Sequence, residues 1–114
     1  MSQSASIIEI DCEAISDWSG FHETFARKLG FPAFYGRNAD AWIDCMTSLD
    51  DPSAGLSKEH VERGQIMTLQ LSNASSLKGK SPEIFEALNE MAAFVNWRRI
   101  EVGEGPVLAL SYHA

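Results

Sequence analysis

The chain has 114 residues, 45% of them hydrophobic, with 16 acidic against 9 basic side chains and a formal charge of −7. That length suits a single domain over residues 1–114 with a buried core, and the shortage of base argues against direct binding of nucleic acid, which needs a cationic face for phosphates. No run of ~18 apolar residues is present to cross a membrane, and the opening Met-Ser-Gln-Ser-Ala-Ser lacks a basic segment followed by an apolar one, so no leader is read and a cytoplasmic location is expected.

Residues 6–11, Ser-Ile-Ile-Glu-Ile-Asp, are short, β-branched and bounded by polar residues, which predicts a strand. Trp18, Phe21, Phe25 and Leu29 follow helical spacing. Ser16 or Ser19 is the expected cap of that helix, Gly30 its end, and Pro32 enforces the break. Asn38 is positioned to cap a second helix running to about Leu49. At ~100° per residue, Ala39, Trp42, Met46 and Leu49 share one stripe with Cys45 beside it. Asp40, Asp44 and Thr47 fall on the opposite side, with Ile43 at the border. The stripe reads as core, including Trp42, and the far side as surface.

Residues 50–64 are polar and read as a loop, with a helical turn allowed at 58–63. Residues 65–71 alternate apolar and polar, predicting a strand, and 72–80 are polar and turn-like. Ser81-Pro82-Glu83 combines a cap, a proline at the first helical position and an early acid. The helix that follows turns Ile84, Phe85, Leu88, Met91, Ala92 and Val95 inward and ends near Arg98 and Arg99. Gly103 and Gly105 break the chain before a last apolar strand at 107–112. Strands separated by helical crossovers pair in parallel. The expected fold is therefore α/β: a small three-stranded, mostly parallel sheet packed with helices.

Asp40 and Asp44 pose a problem. Four residues apart on a helix, two carboxylates repel by roughly 0.2–0.5 kcal/mol. Asp40, near the helix N-terminus, recovers about 0.3–1 kcal/mol from the macrodipole, and Asp44, a turn further in, recovers much less. With the other stripe buried, both acids face outward, where a basic partner turns repulsion into attraction. Asp40, Asp44, Asp50 and Asp51 lie within twelve residues with no intervening base, a field able to steer a cationic partner. Trp42 belongs to the core stripe, so Ile43 is the better apolar contact for that partner. Of Phe34 and Tyr35, one is expected to pack against the fold and the other to reach outward.

His22-x-Thr24-Phe25, Leu29-x-Phe31-Pro32, Tyr35-Gly36-x-Asn38-x-Asp40-Ala41 and Asp44-Cys45-x-Thr47 together resemble the barstar family, intracellular inhibitors of the ribonuclease barnase. The resemblance spans roughly residues 21–48. It implies a three-stranded parallel α/β fold and an inhibitor that plugs a ribonuclease active site with the second helix and its preceding loop; the free chain is expected to be a monomer. Carried onto this chain, the contact surface comprises Phe34, Gly36, Asn38, Asp40, Ile43, Asp44 and Thr47, with Asp44 as the central anion and Asp40 beside it. The implied partner is a basic extracellular-type ribonuclease or toxin nuclease. Phe34 replaces a tyrosine typical of the family, Ile43 and Leu49 stand where the best-known inhibitor has tryptophans, and Arg37 adds a positive charge. The segment after the second helix is longer, and a gapless count for a late contact acid lands on Arg99. These departures point to a target other than barnase.

Two other classes compete. An enzyme could use Cys45 with His22, His60 or His113, but Cys45 borders the core stripe and no histidine lies in a catalytic or metal-binding pattern. No catalytic residue, metal or cofactor is expected. Cys12 and Cys45 form neither C-x-x-C nor zinc spacing, so both are read as reduced, packed thiols. The second competitor is a non-catalytic protein-binding or regulatory module on the same fold with a non-nuclease target.

Overall fold

In the computed structural model, which describes residues 6–114, Ser6–Asp11 forms a strand, β1, that leads through a 3-10 turn at Cys12–Ala14 into a helix, α1, at Trp18–Leu29. The N-terminal segment read above as free of a leader lies, up to residue 5, outside the described residues. A second helix, α2, spans Ala39–Thr47, and a 3-10 turn at Pro52–Ala54 precedes strand β2, Met67–Ser72. Helices α3, Ala74–Lys80, and α4, Pro82–Glu101, lead to strand β3, Leu108–Tyr112.

The sheet has order β1-β2-β3 and both pairings are parallel, with Ile8 opposite Leu69 and Leu69 opposite Leu110. Each crossover is helical, α1 and α2 on the first and α3 and α4 on the second. The expected mostly parallel sheet is thus wholly parallel. Along β2, Met67, Leu69 and Leu71 are fully buried and alternate with half-buried residues, as for the central strand of a sheet packed on its faces. Among the described residues, no helix is long and apolar enough to cross a membrane.

The core joins that sheet face to α1, α2 and α4. Phe21, Phe25 and Trp42 pack their rings together at centroid distances of 4.8 Å (Phe21–Phe25) and 5.4 Å (Phe25–Trp42), fastening α1 to α2. Aromatic pairs in such tilted and edge-on arrangements add about 0.5–1.5 kcal/mol beyond their area burial. Ile84, Leu88, Met91, Ala92 and Val95 supply the inner stripe of α4, and Phe85 is only half-buried. Both cysteines are free and buried, and burial raises each thiol to about 11.

Several boundaries differ from the sequence reading, each for a local reason. Asp17, not Ser16 or Ser19, caps α1, its carboxylate accepting from the Gly20 amide at 2.8 Å. Ser81 stands just before α4, yet its hydroxyl donates to the Ser16 carbonyl at 2.9 Å and ties two crossovers together instead of capping. Residues 72–80, read as a turn, contain α3, because Ala74 and Leu77 find the core despite a polar sequence. The turn allowed at 58–63 is absent. There the Lys58 amide donates to Leu29 O at 2.8 Å and the Val61 amide to Leu49 O at 3.0 Å, which holds the segment extended along the ends of α1 and α2. Gly30 makes that approach possible. Its φ of +69° is left-handed, and a Cβ there would meet Lys58 Cβ at 2.6 Å.

Candidate functional site

α2 starts where its sequence says it should. The Asn38 carboxamide oxygen accepts from the Ala41 amide at 2.8 Å, and its NH2 donates to Gly36 O at 3.4 Å, so Asn38 both caps the helix and braces the turn before it. Arg37 takes a left-handed φ of 54°, which turns the chain sharply into the helix. Its guanidinium points to α1, 3.5 Å from a Glu23 carboxylate oxygen. The positive charge anticipated beside the acidic face is therefore held against a different helix.

The loop resolves the choice between Phe34 and Tyr35. Tyr35 packs against Phe31 with ring centroids 4.7 Å apart, and its hydroxyl lies 2.5 Å from Nδ1 of buried His22. Burial, together with the nearby Arg37 charge, holds the His22 imidazole below its ordinary range, and burial pushes the Tyr35 phenol up. The histidine at this contact is thus neutral near pH 7 and the tyrosine protonated. Phe34, by contrast, is 76% exposed. A ring that size left in water next to exposed Gly36 and Asn38 is an available apolar contact. Beside the loop, Trp18, Ser19, His22, Arg37, Asn38 and Ala39 line a cleft of about 460 Å³.

On α2, the inner stripe is Trp42, Cys45 and Met46, continued after the helix by Leu49, all buried. Ala39, assigned to that stripe, is exposed because the first helical residue projects beyond the core. Ile43, read at the border and proposed as an apolar contact, is only 8% exposed and belongs to the core cluster, so it has little surface to offer. Thr47 is half-buried, its hydroxyl donating to Ile43 O at 2.6 Å. Asp40 and Asp44 both face solvent. Among the described residues, no ion pair engages Asp40.

Asp44 is different. Nη1 of Arg98, from α4, lies 3.1 Å from its Oδ1, with the arginine side chain 42% and the aspartate side chain 61% exposed. Asp44, read as facing outward toward a basic partner, thus already meets a base of its own chain. The pair is exposed and single-pronged, a geometry that contributes roughly 0–1 kcal/mol.

The neighbouring residue does the opposite. Arg99 is 5% exposed and all three of its guanidinium nitrogens donate hydrogen bonds. Nε donates to Gly105 O at 2.7 Å and Nη1 to Thr47 O at 2.8 Å. Both terminal nitrogens donate to the Asp50 carboxylate, at 3.1 and 2.8 Å, and Glu104 lies 3.4 Å away. Those hydrogen bonds hold the Asp50 carboxyl below its usual range. Asp50 therefore leaves the steering field proposed for it. Arg99, where the count for a late contact acid landed, is an internal clamp and not a surface residue. Asp51 is exposed and caps the 3-10 turn, accepting from the Ser53 amide at 3.2 Å.

The loop and helix thus bring Phe34, Gly36, Asn38, Asp40 and Asp44 to the surface, keep Thr47 half in, and withdraw Ile43. Neither arginine of α4 was legible as a neighbour of α2. Their place at the end of a helix signalled only a favourable dipole interaction. Among the described residues, no group of three His, Cys, Asp or Glu is arranged to hold a metal ion. A protein-family model described as Barstar (barnase inhibitor) matches residues 5–104 of the chain.

Proposed function

The chain belongs to the barstar family, and from that premise we propose that it inhibits a small basic ribonuclease by covering its active site with α2 and the loop before it. The target is an extracellular-type ribonuclease or a toxin nuclease met in the cytoplasm, and the free inhibitor is a monomer. The observation that carries this reading is the outward face of α2. Its two carboxylates project to solvent one turn apart while the opposite side of the helix is core. Nucleases that cleave RNA hold phosphates with arginine and lysine, and carboxylates on a rigid helix present a matching anion.

In the complex, Asp44 stands in for a phosphate among the enzyme's cations and Asp40 flanks it. Phe34 supplies the apolar contact, with Gly36 and Asn38 shaping the loop. Thr47 contributes at the edge. Long-range attraction raises the encounter rate and desolvated charge pairs slow dissociation, behaviour for which barnase with barstar is itself the standard example. Removing one partner of a buried, hydrogen-bonded charge pair costs about 2–5 kcal/mol or more in binding.

The test is inhibition of RNA cleavage by the ribonuclease that co-purifies with the chain from its native host, comparing wild type with Asp44→Ala. The variant is expected to lose at least ~30-fold in affinity. Equal inhibition by the two proteins would reject the assignment. A second reading, a non-catalytic regulatory module with a non-nuclease target, draws on Arg98, since a wholly cationic active site would meet that guanidinium at Asp44. Recovery of a partner without ribonuclease activity, bound through the same face, would favour it.

A further inference from the structure

The two arginines that end α4 differ in a way that bears on how the acidic face is used. Arg99 is anchored by two backbone carbonyls and a two-pronged contact to Asp50, which fixes the rotation of α4 against α2. That fixed rotation carries Arg98, the next residue round the helix, over the outer surface of α2. Arg98 then reaches Asp44 by one contact of 3.1 Å and keeps 42% of its side chain in water. One arginine is held in place by the fold, and the other rests on an acid it can leave.

Resting on the reading of α2 as a cation-binding face, we infer that Arg98 is a displaceable internal cation that occupies Asp44 in the free protein and yields it to a guanidinium-bearing partner. A second cation placed on the Asp44 carboxylate comes within a few ångströms of the Arg98 guanidinium, where like charges repel. Binding is therefore weaker while Arg98 stays in place, and favours its swinging away. The helix offers it two places to go. Glu101, three residues on, and Phe94, four residues back, share its face and are both exposed. The first is a carboxylate, and the second an open ring on which a guanidinium can lie. Among the described residues Asp40 has no such occupant, and it is open to the partner from the start. The partner meets Asp40 first and takes Asp44 in exchange for Arg98. The contact thus works as a threshold, admitting partners whose cations reach Asp44 well enough to displace an arginine.

An arginine hexapeptide, standing for a partner's guanidinium groups, tests this without the target. Its binding to the isotope-labelled protein is followed by NMR shifts at Asp40 and Asp44 at low ionic strength. Arg98→Gln is expected to bind it roughly three- to fivefold more tightly than wild type, the size of a released exposed pair. Arg98→Lys stays within about twofold of wild type, because the competing charge remains. Arg27→Gln, which removes the same charge from the surface of α1, gives a smaller gain than Arg98→Gln. On an Asp44→Asn background, the gain from Arg98→Gln falls to that of the Arg27→Gln control. A gain no larger than the control, or one that survives loss of the Asp44 charge, overturns the inference. Thermal midpoints of the variants establish that all are folded. Ribonuclease inhibition is scored separately. If Asp44→Ala leaves inhibition intact while the peptide behaves as expected, the target reading fails and Arg98 stands. The reverse result removes Arg98 and keeps the target reading.

Discussion

Replacing Asp50 by Asn is the most direct test of how α2 is held in position. The carboxylate accepts from both terminal nitrogens of Arg99 at 3.1 and 2.8 Å, and the two side chains are 5% (Arg99) and 7% (Asp50) exposed. Removing the charge leaves a guanidinium buried with Glu104, 3.4 Å away and half in water, as its remaining anion. Breaking a buried pair by removing one partner costs about 3–5 kcal/mol. The Glu104 charge and the carbonyls of Thr47 and Gly105 persist, which places Asp50→Asn near the low end, at about 3 kcal/mol. At roughly 4 °C per kcal/mol for a domain of this size, the thermal midpoint should fall by about 12 °C. Urea unfolding at pH 7 measures the loss directly. The pH dependence supplies an independent check of sign. Because Arg99 lowers the folded-state pKa of Asp50 below its unfolded value, the pair stabilises fully above the ordinary carboxylate range. That contribution is lost as pH falls through the lowered value. The gap between wild type and Asp50→Asn should therefore be widest near neutrality and close in acid, below about pH 4. A variant within about 1 kcal/mol of wild type at pH 7, or a gap unchanged on acidification, would refute the clamp.

Other consequences are simpler to measure. Phe34→Ala removes a ring that is 76% exposed, so stability should change by less than about 0.5 kcal/mol. Its affinity for the captured ribonuclease should fall by more than about tenfold, as for an aromatic anchor at an interface; calorimetry and inhibition read the two effects separately. Cys12 and Cys45 are buried with thiols raised to about 11, so iodoacetamide at about pH 8 should modify neither in the native protein and both in denaturant. Mass spectrometry counts the adducts, and rapid native labelling of Cys45 would reopen a catalytic reading.

By itself the sequence determined the elements whose signals are local. The alternation of residues 65–71, the periodic apolar stripe of α1 and the cap at Asn38 all depend on residues a few positions apart, and all three appear in the structure, the strand at Met67–Ser72. The parallel pairing of the strands followed from helical crossovers between them, and the outward face of α2 followed from the inward one. The motifs around Tyr35-Gly36-x-Asn38-x-Asp40-Ala41 were enough to suggest the family whose model matches residues 5–104. Helical period alone misplaced two residues: Ile43, read at the border, went to the core, because the breadth of the buried face depends on how closely α1 and α4 approach, and Ala39 went to solvent, because the helix begins beyond the core. The charges were beyond reach for the same reason. Asp44 and Arg98, 54 residues apart, and Asp50 and Arg99, 49 apart, meet only because α4 packs across α2. Local spacing carries the period of a helix but not its rotation against a distant neighbour, and that rotation decides which acid is clamped inside, which is lightly occupied and which makes no ion pair among the described residues.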